Sequence, residues 1–475
     1  MKMQRVSALV VFLSFYVALA IGELSLLAAK PPAGDPPGRD SILDWNAIAL
    51  EAVRQDHSAT FGTPDQGGPT HTARSLAIVH VAMYDALNSI QQTGKPYLTM
   101  KHSHDASIDA AVARAARDTL EELYPKQKNV FGTAYNNYLA AIPKSNNKTR
   151  GEELGAFVAT KILKARKNDG SANNTPYVPG QLPGNHRVDP LNPSQGFLTP
   201  NWGGVKPFGI VSGLQFLVPP PPALDSPEYA DAFNQAKDFG GDGVGTPTLR
   251  TAEQTQIGIF WAYDGSKFIG VPLRLYNQIV RKIAMQKRNT EVENARLFAL
   301  VNIAQADAGI SCWAIKYTDN FWRPILAIRE ADRGTGPSGL GDENPETVGD
   351  VNWRPLGAPA SNQSGNNFTP PFPAYTSGHA TFGAATFRIL QNFYGTDYIE
   401  FDFMSDELNG VTTNADGSSR GPAVVRNFDR LSEASWENAI SRIYLGIHWI
   451  FDAEWGVACG MQVADYVFDN VLELD

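Results

Sequence analysis

The chain has few cysteines: only Cys312 and Cys459 occur in 475 residues. Disulfides therefore cannot be its main scaffold. One bridge between the two is open, and two buried free thiols are the favoured interpretation. The chain also lacks an excess of positive charge, because its net charge is −9 and no long run of Lys and Arg occurs. This argues against nucleic acid as a partner.

Long hydrophobic runs are scarce as well, and the clear one lies at the N-terminus. Lys2 and Arg5 precede an apolar stretch at residues 6–21, and the small residues Ala28 and Ala29 follow. This order is typical of a secretory signal peptide, predicted here as residues 1–29, with an uncleaved anchor as the alternative. No later segment is predicted to be long and apolar enough to span a bilayer. We therefore expect a secreted or periplasmic protein without stable membrane insertion after processing.

Strand signals are also few, and most of the chain predicts helices. Apolar residues recur at spacings of three and four in many segments, such as 43–53, 72–90, 251–263, 273–285, 291–315, 380–394, 431–445 and 453–471. Residues 170–224 are rich in Pro, Gly and Asn and predict a long irregular excursion. The best strand signal is at 421–428. We predict an all-α fold with little β, formed by an N-terminal helical half at 30–245 and a C-terminal helical bundle at 246–475.

The stretch FPAYTSGHATFGAA begins a predicted helix with chemically distinctive residues. Ser377 is a good N-cap, and the N-terminus of a helix offers unpaired backbone N–H groups to an anion. Gly378 allows a close approach of the backbone to such an anion, and His379 would lie beside it. Taken alone, the stretch also fits an ordinary capped helix with a surface histidine.

Two cations lie upstream in CWAIKYTDNFWRPILAIR. Lys316 is near the end of one predicted helix, and Arg323 precedes Pro324, which suits the first turn of the next helix. The two side chains can therefore converge. Most Lys and Arg side chains are solvated, but the aromatic neighbours of this pair, which include Trp313 and Trp322, favour burial.

A third stretch, SRIYLGIHWIFDAEWG, places a histidine four residues before an aspartate. If the segment is helical, His448 and Asp452 share a face, and Asp452 can accept a hydrogen bond from one ring nitrogen of His448. On one unbroken helix Arg442 and His448 would point apart, so Gly446 is predicted to break the helix between them. A histidine near a helix start with an incidental aspartate is the alternative.

Together the three stretches supply several cations, backbone donors and a histidine with a fixed tautomer, which a tetrahedral oxyanion needs. The order K-x6-R-P, S-G-H and S-R-x5-H-x3-D resembles that of the vanadium-dependent haloperoxidases, which belong to the superfamily of the type 2 phosphatidic acid phosphatases. The resemblance implies two helical bundles in one domain. It also implies vanadate as the cofactor, held in the C-terminal bundle.

The resemblance assigns roles position by position. The residues that match the ligands of the equatorial vanadate oxygens are Lys316, Arg323, Ser377, Gly378 and Arg442. His448 matches the axial ligand of the metal, with Asp452 behind it, and His379 matches the acid–base residue. Lys316 would also polarise peroxide. Trp313 and Phe372 match aromatic positions beside the halide approach. Thr376 departs from the usual proline before Ser-Gly-His.

The implied function is oxidation of a halide, bromide and also chloride, by hydrogen peroxide to a hypohalous acid equivalent that reacts with small organic acceptors. The oligomeric state stays open. An exported acid phosphatase is the alternative, in which His448 attacks phosphorus and His379 protonates the leaving oxygen. A noncatalytic anion-binding protein would need neither histidine. Chain length, the N-terminal helices, Trp313 and Phe372 favour the haloperoxidase.

Overall fold

Thirteen α-helices make up most of the residues that this computed structural model describes, 40–98 and 102–474. The N-terminal half contains α1 (Ser41–Asp56), α2 (Gly68–Gln91), α3 (Ile108–Leu123), α4 (Lys128–Ala140), α5 (Asn146–Arg166) and α6 (Pro227–Gly240). The C-terminal half contains α7 (Ala252–Phe260), α8 (Pro272–Lys287), α9 (Glu291–Asp319), α10 (Pro324–Glu330), α11 (Gly378–Tyr394), α12 (Leu431–Tyr444) and α13 (Ile450–Asn470). The predicted signal peptide lies outside the described residues.

The sheet content of the described residues is one short antiparallel pair. β1 (Phe401–Met404) pairs with β2 (Val425–Phe428), and Phe401 lies opposite Phe428. The strand predicted at 421–428 is therefore present as its second half. The prediction of an all-α fold with little β is confirmed.

Helix α9 is the central element of the fold. It begins at a capping box in which Thr290 and Glu293 satisfy each other's backbone N–H groups. By length and composition it could cross a membrane, so the expectation that no later segment would qualify was wrong. However, 94% of the most apolar 18-residue stretch of α9 is buried inside the protein. It packs against α2 on one side and against α11 and α13 on the other, so the two halves share one hydrophobic core.

The excursion predicted at 170–224 is irregular apart from one short 3-10 turn, Trp202–Gly204. The helix α6 that follows it was not predicted, because the run of prolines before it masks the helical period. Ser226 caps α6, Pro227 occupies its first turn, and Tyr229 and Phe233 bury one face. Gly240, the last residue of α6, lies against Gly446 near the site described below.

Candidate functional site

Lys316 and Arg323 are buried and tied to one short backbone segment. Lys316, in the last turn of α9, donates from Nζ to the carbonyl oxygens of Pro373 and Ala374 at 2.7 and 3.0 Å. Arg323 directly precedes α10 and donates from Nε to the carbonyl oxygen of Phe372 at 2.9 Å. Burial lowers the pKa of Lys316 to about 7 and that of Arg323 to about 9. The convergence of the two cations, predicted from their spacing, is present.

The N-terminus of α11 presents the predicted serine and glycine. Ser377 caps the helix, and its Oγ accepts from the backbone N–H of Ala380 at 3.4 Å. The backbone N–H of Ser377 donates to the carbonyl oxygen of Asp452, so its hydroxyl hydrogen is the donor that it retains. The N–H of Gly378 lies in the first turn and has no acceptor within the helix. Two donors of this turn are therefore available to a ligand.

Thr376, which replaces the usual proline, contacts a buried thiol. Its Oγ1 lies 3.6 Å from Sγ of Cys312, and that thiol lies 3.5 Å from the carbonyl oxygen of Thr376. Cys312 and Cys459 are both free and buried, as predicted. Thr376, at the position where the family pattern has proline, is thus packed against α9.

His379 lies in the first turn of α11 with a fixed tautomer. Its Nε2 is 2.6 Å from the carbonyl oxygen of Ala262. Because a carbonyl only accepts, Nε2 carries the hydrogen and Nδ1 is the ring acceptor. Burial, followed by the positive charge of Arg442, holds the pKa of His379 well below its usual value. His379 is therefore neutral at neutral pH and able to take a proton at Nδ1.

His448 has the opposite tautomer. It lies between α12 and α13, after Gly446 has ended α12 with a φ of +69°. Its Nδ1 donates to Oδ2 of Asp452 at 2.7 Å, and its Nε2 accepts from Nη1 of Arg323 at 2.9 Å. The predicted pairing is present, although His448 occupies the turn before α13 rather than the helix itself. Nε2 is the unprotonated nitrogen, and an electrophile bound there would replace the hydrogen bond from Nη1 of Arg323.

Arg442, in the last turn of α12, is held by a residue that the sequence did not indicate. Its Nη2 donates to Oδ1 and Oδ2 of Asp264 at 2.7 and 2.8 Å. Burial raises the pKa of Asp264, and the charge of Arg442 opposes that shift. Asp264 lies 178 positions before Arg442, in the loop between α7 and α8, where no local period marks it.

The donors left over at these residues suit an oxyanion. Nη2 of Arg323 and both Nε and Nη1 of Arg442 are buried without an acceptor among the described residues. Unpaired buried donors of charged groups are costly, and a tetrahedral oxyanion would satisfy them. Arg442 forms an ion pair with Asp264, and the charges of Lys316 and Arg323 act on the buried Asp452. The residues present therefore fit vanadate.

A cavity of about 580 Å³ opens onto this arrangement. Its lining includes six of the predicted site residues: Trp313, Phe372, Gly378, His379, Arg442 and His448. Trp313 and Phe372 pack with ring centroids 4.8 Å apart, and Nζ of Lys316 lies 5.1 Å from the ring of Phe372. The aromatic pair thus lines the cavity and also contacts Lys316.

Two family models and one curated relative match most of this chain. The family model described as vanadium chloroperoxidase N-terminal domain matches residues 35–200, and the one described as VCPO second helical-bundle domain matches 296–474. The curated vanadium chloroperoxidase of Curvularia inaequalis is 35% identical to this chain, in an alignment that covers 87% of this chain and 79% of that protein.

Two solved structures have the same fold. That of the first bacterial vanadium-dependent iodoperoxidase aligns with a TM-score of 0.73 at 21% identity, over 93% of this chain and 99% of the other. A holo-type bacterial vanadium-dependent chloroperoxidase aligns with a TM-score of 0.65 at 16% identity, over 86% and 94% of the two chains. At these identities the two structures establish the fold alone.

Proposed function

Because the chain belongs to the vanadium haloperoxidase family and uses vanadate as its cofactor, we propose that it oxidises bromide, and also chloride, with hydrogen peroxide to a hypohalous acid equivalent. The observation that carries this proposal is the neutral Nε2 of His448, beside buried guanidinium donors that lack an acceptor among the described residues. A site of this kind holds an oxyanion and offers it one nitrogen.

The proposed binding roles follow from the hydrogen bonds that each side chain keeps free. The proposed donors to the vanadate oxygens are Lys316, Arg323, Arg442, the N–H of Gly378 and the hydroxyl of Ser377. His448 would bind vanadium through Nε2 in place of its hydrogen bond from Nη1 of Arg323. Asp452 would hold the ring of His448 by accepting from Nδ1, as a carboxylate behind a ligating histidine commonly does. When bound, vanadate activates hydrogen peroxide toward attack by the halide.

The proposed proton transfers involve His379 and Lys316. Nδ1 of His379 is the ring acceptor, so it would take a proton from hydrogen peroxide. Lys316 has three N–H groups and uses two on backbone carbonyls, so the third would polarise peroxide. Trp313 and Phe372 would form the halide side of the pocket.

Bromide is proposed as the better substrate because it is easier to oxidise than chloride at any site. Chloride is included because the curated relative is named a chloroperoxidase. The same relative disfavours the alternative of an exported acid phosphatase. Bound vanadate resembles the transition state of phosphoryl transfer, so a pocket for vanadate also binds phosphate.

The test is reconstitution of the vanadate-free protein. We expect bromide-dependent consumption of hydrogen peroxide only after vanadate is added, and inorganic phosphate should inhibit this reconstitution by competing for the same donors. Hydrolysis of a phosphate ester is measured on the same samples. Efficient ester hydrolysis without any vanadate-dependent bromide oxidation would show that the protein is an acid phosphatase and not a haloperoxidase.

A further inference from the structure

The cavity is much larger than the halide and peroxide require. Its volume is about 580 Å³, whereas a halide is a single atom and hydrogen peroxide has two heavy atoms. Cavities between about 300 and 1,000 Å³ with mainly apolar walls are typical of sites for organic ligands of drug size. Apolar wall residues include Pro64, Pro69, Leu198, Pro371 and Phe382. The walls therefore suit a largely apolar organic molecule, and an aromatic ring is a group that a hypohalous acid readily halogenates.

The exposed lining residues, which define the mouth of the cavity, are uncharged. They come from three loops and include Thr63, Ser194, Gln363, Ser364 and Asn366. The Asp and Arg residues that line the cavity, Asp264 and Arg442, are paired with each other. With vanadate bound, the donors of Arg442 that Asp264 leaves unpaired would be taken by its oxygens. An ionic organic molecule would then lose its hydration without gaining a partner, so the cavity favours a neutral one.

Of the lining residues, His57, Gln195 and Arg442 have buried polar atoms without a partner among the described residues, and His57 lies apart from the proposed vanadate ligands in the sequence. His57, which follows α1, is 8% exposed and contributes its ring to the lining. Its Nδ1 lies 2.9 Å from the carbonyl oxygen of Val53, so Nδ1 carries the hydrogen and Nε2 is an acceptor. Nε2 has no hydrogen-bond partner among the described residues. A buried acceptor left unpaired is unfavourable, and a ligand hydroxyl would satisfy it.

Resting on the proposed function, we propose that the outer part of this cavity binds a neutral, planar aromatic acceptor whose hydroxyl donates a hydrogen bond to Nε2 of His57. Halogen transfer then takes place inside the protein. A ring carbon forms its bond to the halogen as the oxygen–halogen bond of the hypohalous acid breaks. The hydrogen displaced from that carbon joins the leaving hydroxide as water. His57 holds the hydroxyl and is not consumed.

Binding is tested on the vanadate-saturated full chain, without peroxide or halide, by equilibrium dialysis. The probes are 2-naphthol, its methyl ether 2-methoxynaphthalene, and 6-hydroxynaphthalene-2-sulfonate. We expect the ether to bind about 2- to 12-fold more weakly than 2-naphthol because it cannot donate to His57. The sulfonate should bind at least about tenfold more weakly. His57→Phe should lower the affinity for 2-naphthol to that for the ether.

A second variant keeps the test valid if His57→Phe fails to fold. Thr63 is exposed at the mouth, so Thr63→Trp should obstruct entry and weaken 2-naphthol binding. The matched control is Thr160→Trp, an exposed position on α5 outside the cavity lining, which should bind 2-naphthol like the unchanged chain. Equal effects of the two substitutions would overturn the proposal.

Turnover supplies an independent readout. With bromide and hydrogen peroxide, 2-naphthol and the sulfonate compete for halogenation, and the product ratio is compared with that from reagent hypobromous acid. We expect the ratio of brominated 2-naphthol to brominated sulfonate to be at least about threefold higher with the enzyme than with reagent hypobromous acid. Equal ratios, or equal affinities for 2-naphthol and its ether, would overturn the subsite. Failure of the proposed function would instead appear as absent vanadate-dependent bromide oxidation, whatever the dialysis shows.

Discussion

Asp264 accepts two hydrogen bonds from Nη2 of Arg442, at 2.7 and 2.8 Å, and Nε and Nη1 of that guanidinium have no partner within 40–98 and 102–474. Asp264 therefore orients Arg442 while its charge opposes an incoming anion. We expect Asp264→Ala to weaken vanadate binding by about 10- to 100-fold, as the loss of an outer partner typically does. Asp264→Asn keeps an acceptor and removes the charge, so its loss should be smaller. Titration with vanadate measures both, and an alanine variant with unchanged affinity would contradict this role.

His448 is the one residue proposed to bond directly to vanadium. Substitution His448→Ala removes that bond, so the variant should lose vanadate on extensive dialysis while the unchanged chain retains it. Elemental analysis of vanadium per protein chain checks this. Stoichiometric vanadium in the dialysed variant would count decisively against the assignment.

His379 is proposed to move protons without binding the metal. His379→Ala should therefore retain vanadate but lose bromide oxidation by about 10²- to 10⁴-fold, the usual contribution of a general acid–base. The control is the vanadium content of the same sample, which separates lost chemistry from lost cofactor. Near-normal turnover would instead favour an ordinary capped helix in which His379 has no catalytic role.

The pH dependence of vanadate binding should report on Lys316. Burial lowers its pKa to about 7, so above that pH the anion-free protein holds mainly the neutral amine, whereas the charged form binds the oxyanion. Vanadate affinity should therefore fall as pH rises from 6 to 9. Lys316→Met should flatten this dependence, and Lys316→Arg, which stays charged, should flatten it with more affinity retained. The protonation of vanadate itself is common to all three proteins, so identical slopes would rule out Lys316.

Gly446 can be tested against a matched glycine. Its φ is +69°, and a Cβ there would meet the carbonyl oxygen of Gly240 at 2.5 Å. Gly395 at the end of α11 has a φ of +66° but open space around a Cβ. Gly395→Ala should cost about 1 kcal/mol of unfolding free energy, and Gly446→Ala about 3 kcal/mol or more, because strain and clash combine. Denaturant unfolding that gave equal losses would show that the close approach is unimportant.

The sequence predicted the parts of the site whose signals are local. Helical periods located most of the helices, and the spacing of Lys316, Arg323, Arg442 and His448 indicated the oxyanion site. Local pattern did not predict Asp264, because its contact with Arg442 joins the loop between α7 and α8 to the distant helix α12. Nor did it predict α6, whose start is preceded by four prolines.

The length and apolarity of α9 were underestimated for a related reason. The segment predicted at 291–315 continues to Asp319, and its few charged residues do not interrupt the apolar window. Burial of a helix on all sides depends on which neighbours pack against it, and α2, α11 and α13 come from distant parts of the chain. Composition alone does not distinguish such a core helix from a membrane span.

The carbonyl oxygens of Phe372, Pro373 and Ala374 together hold the side chains of Lys316 and Arg323. Both cations are thus hydrogen-bonded to the same three-residue backbone segment. A displacement of this segment would move both charges together and change the distances between the groups that bind the oxyanion. Substitutions in the loop before Phe372 would then act as remote tuning of cofactor affinity, without any contact with the cofactor.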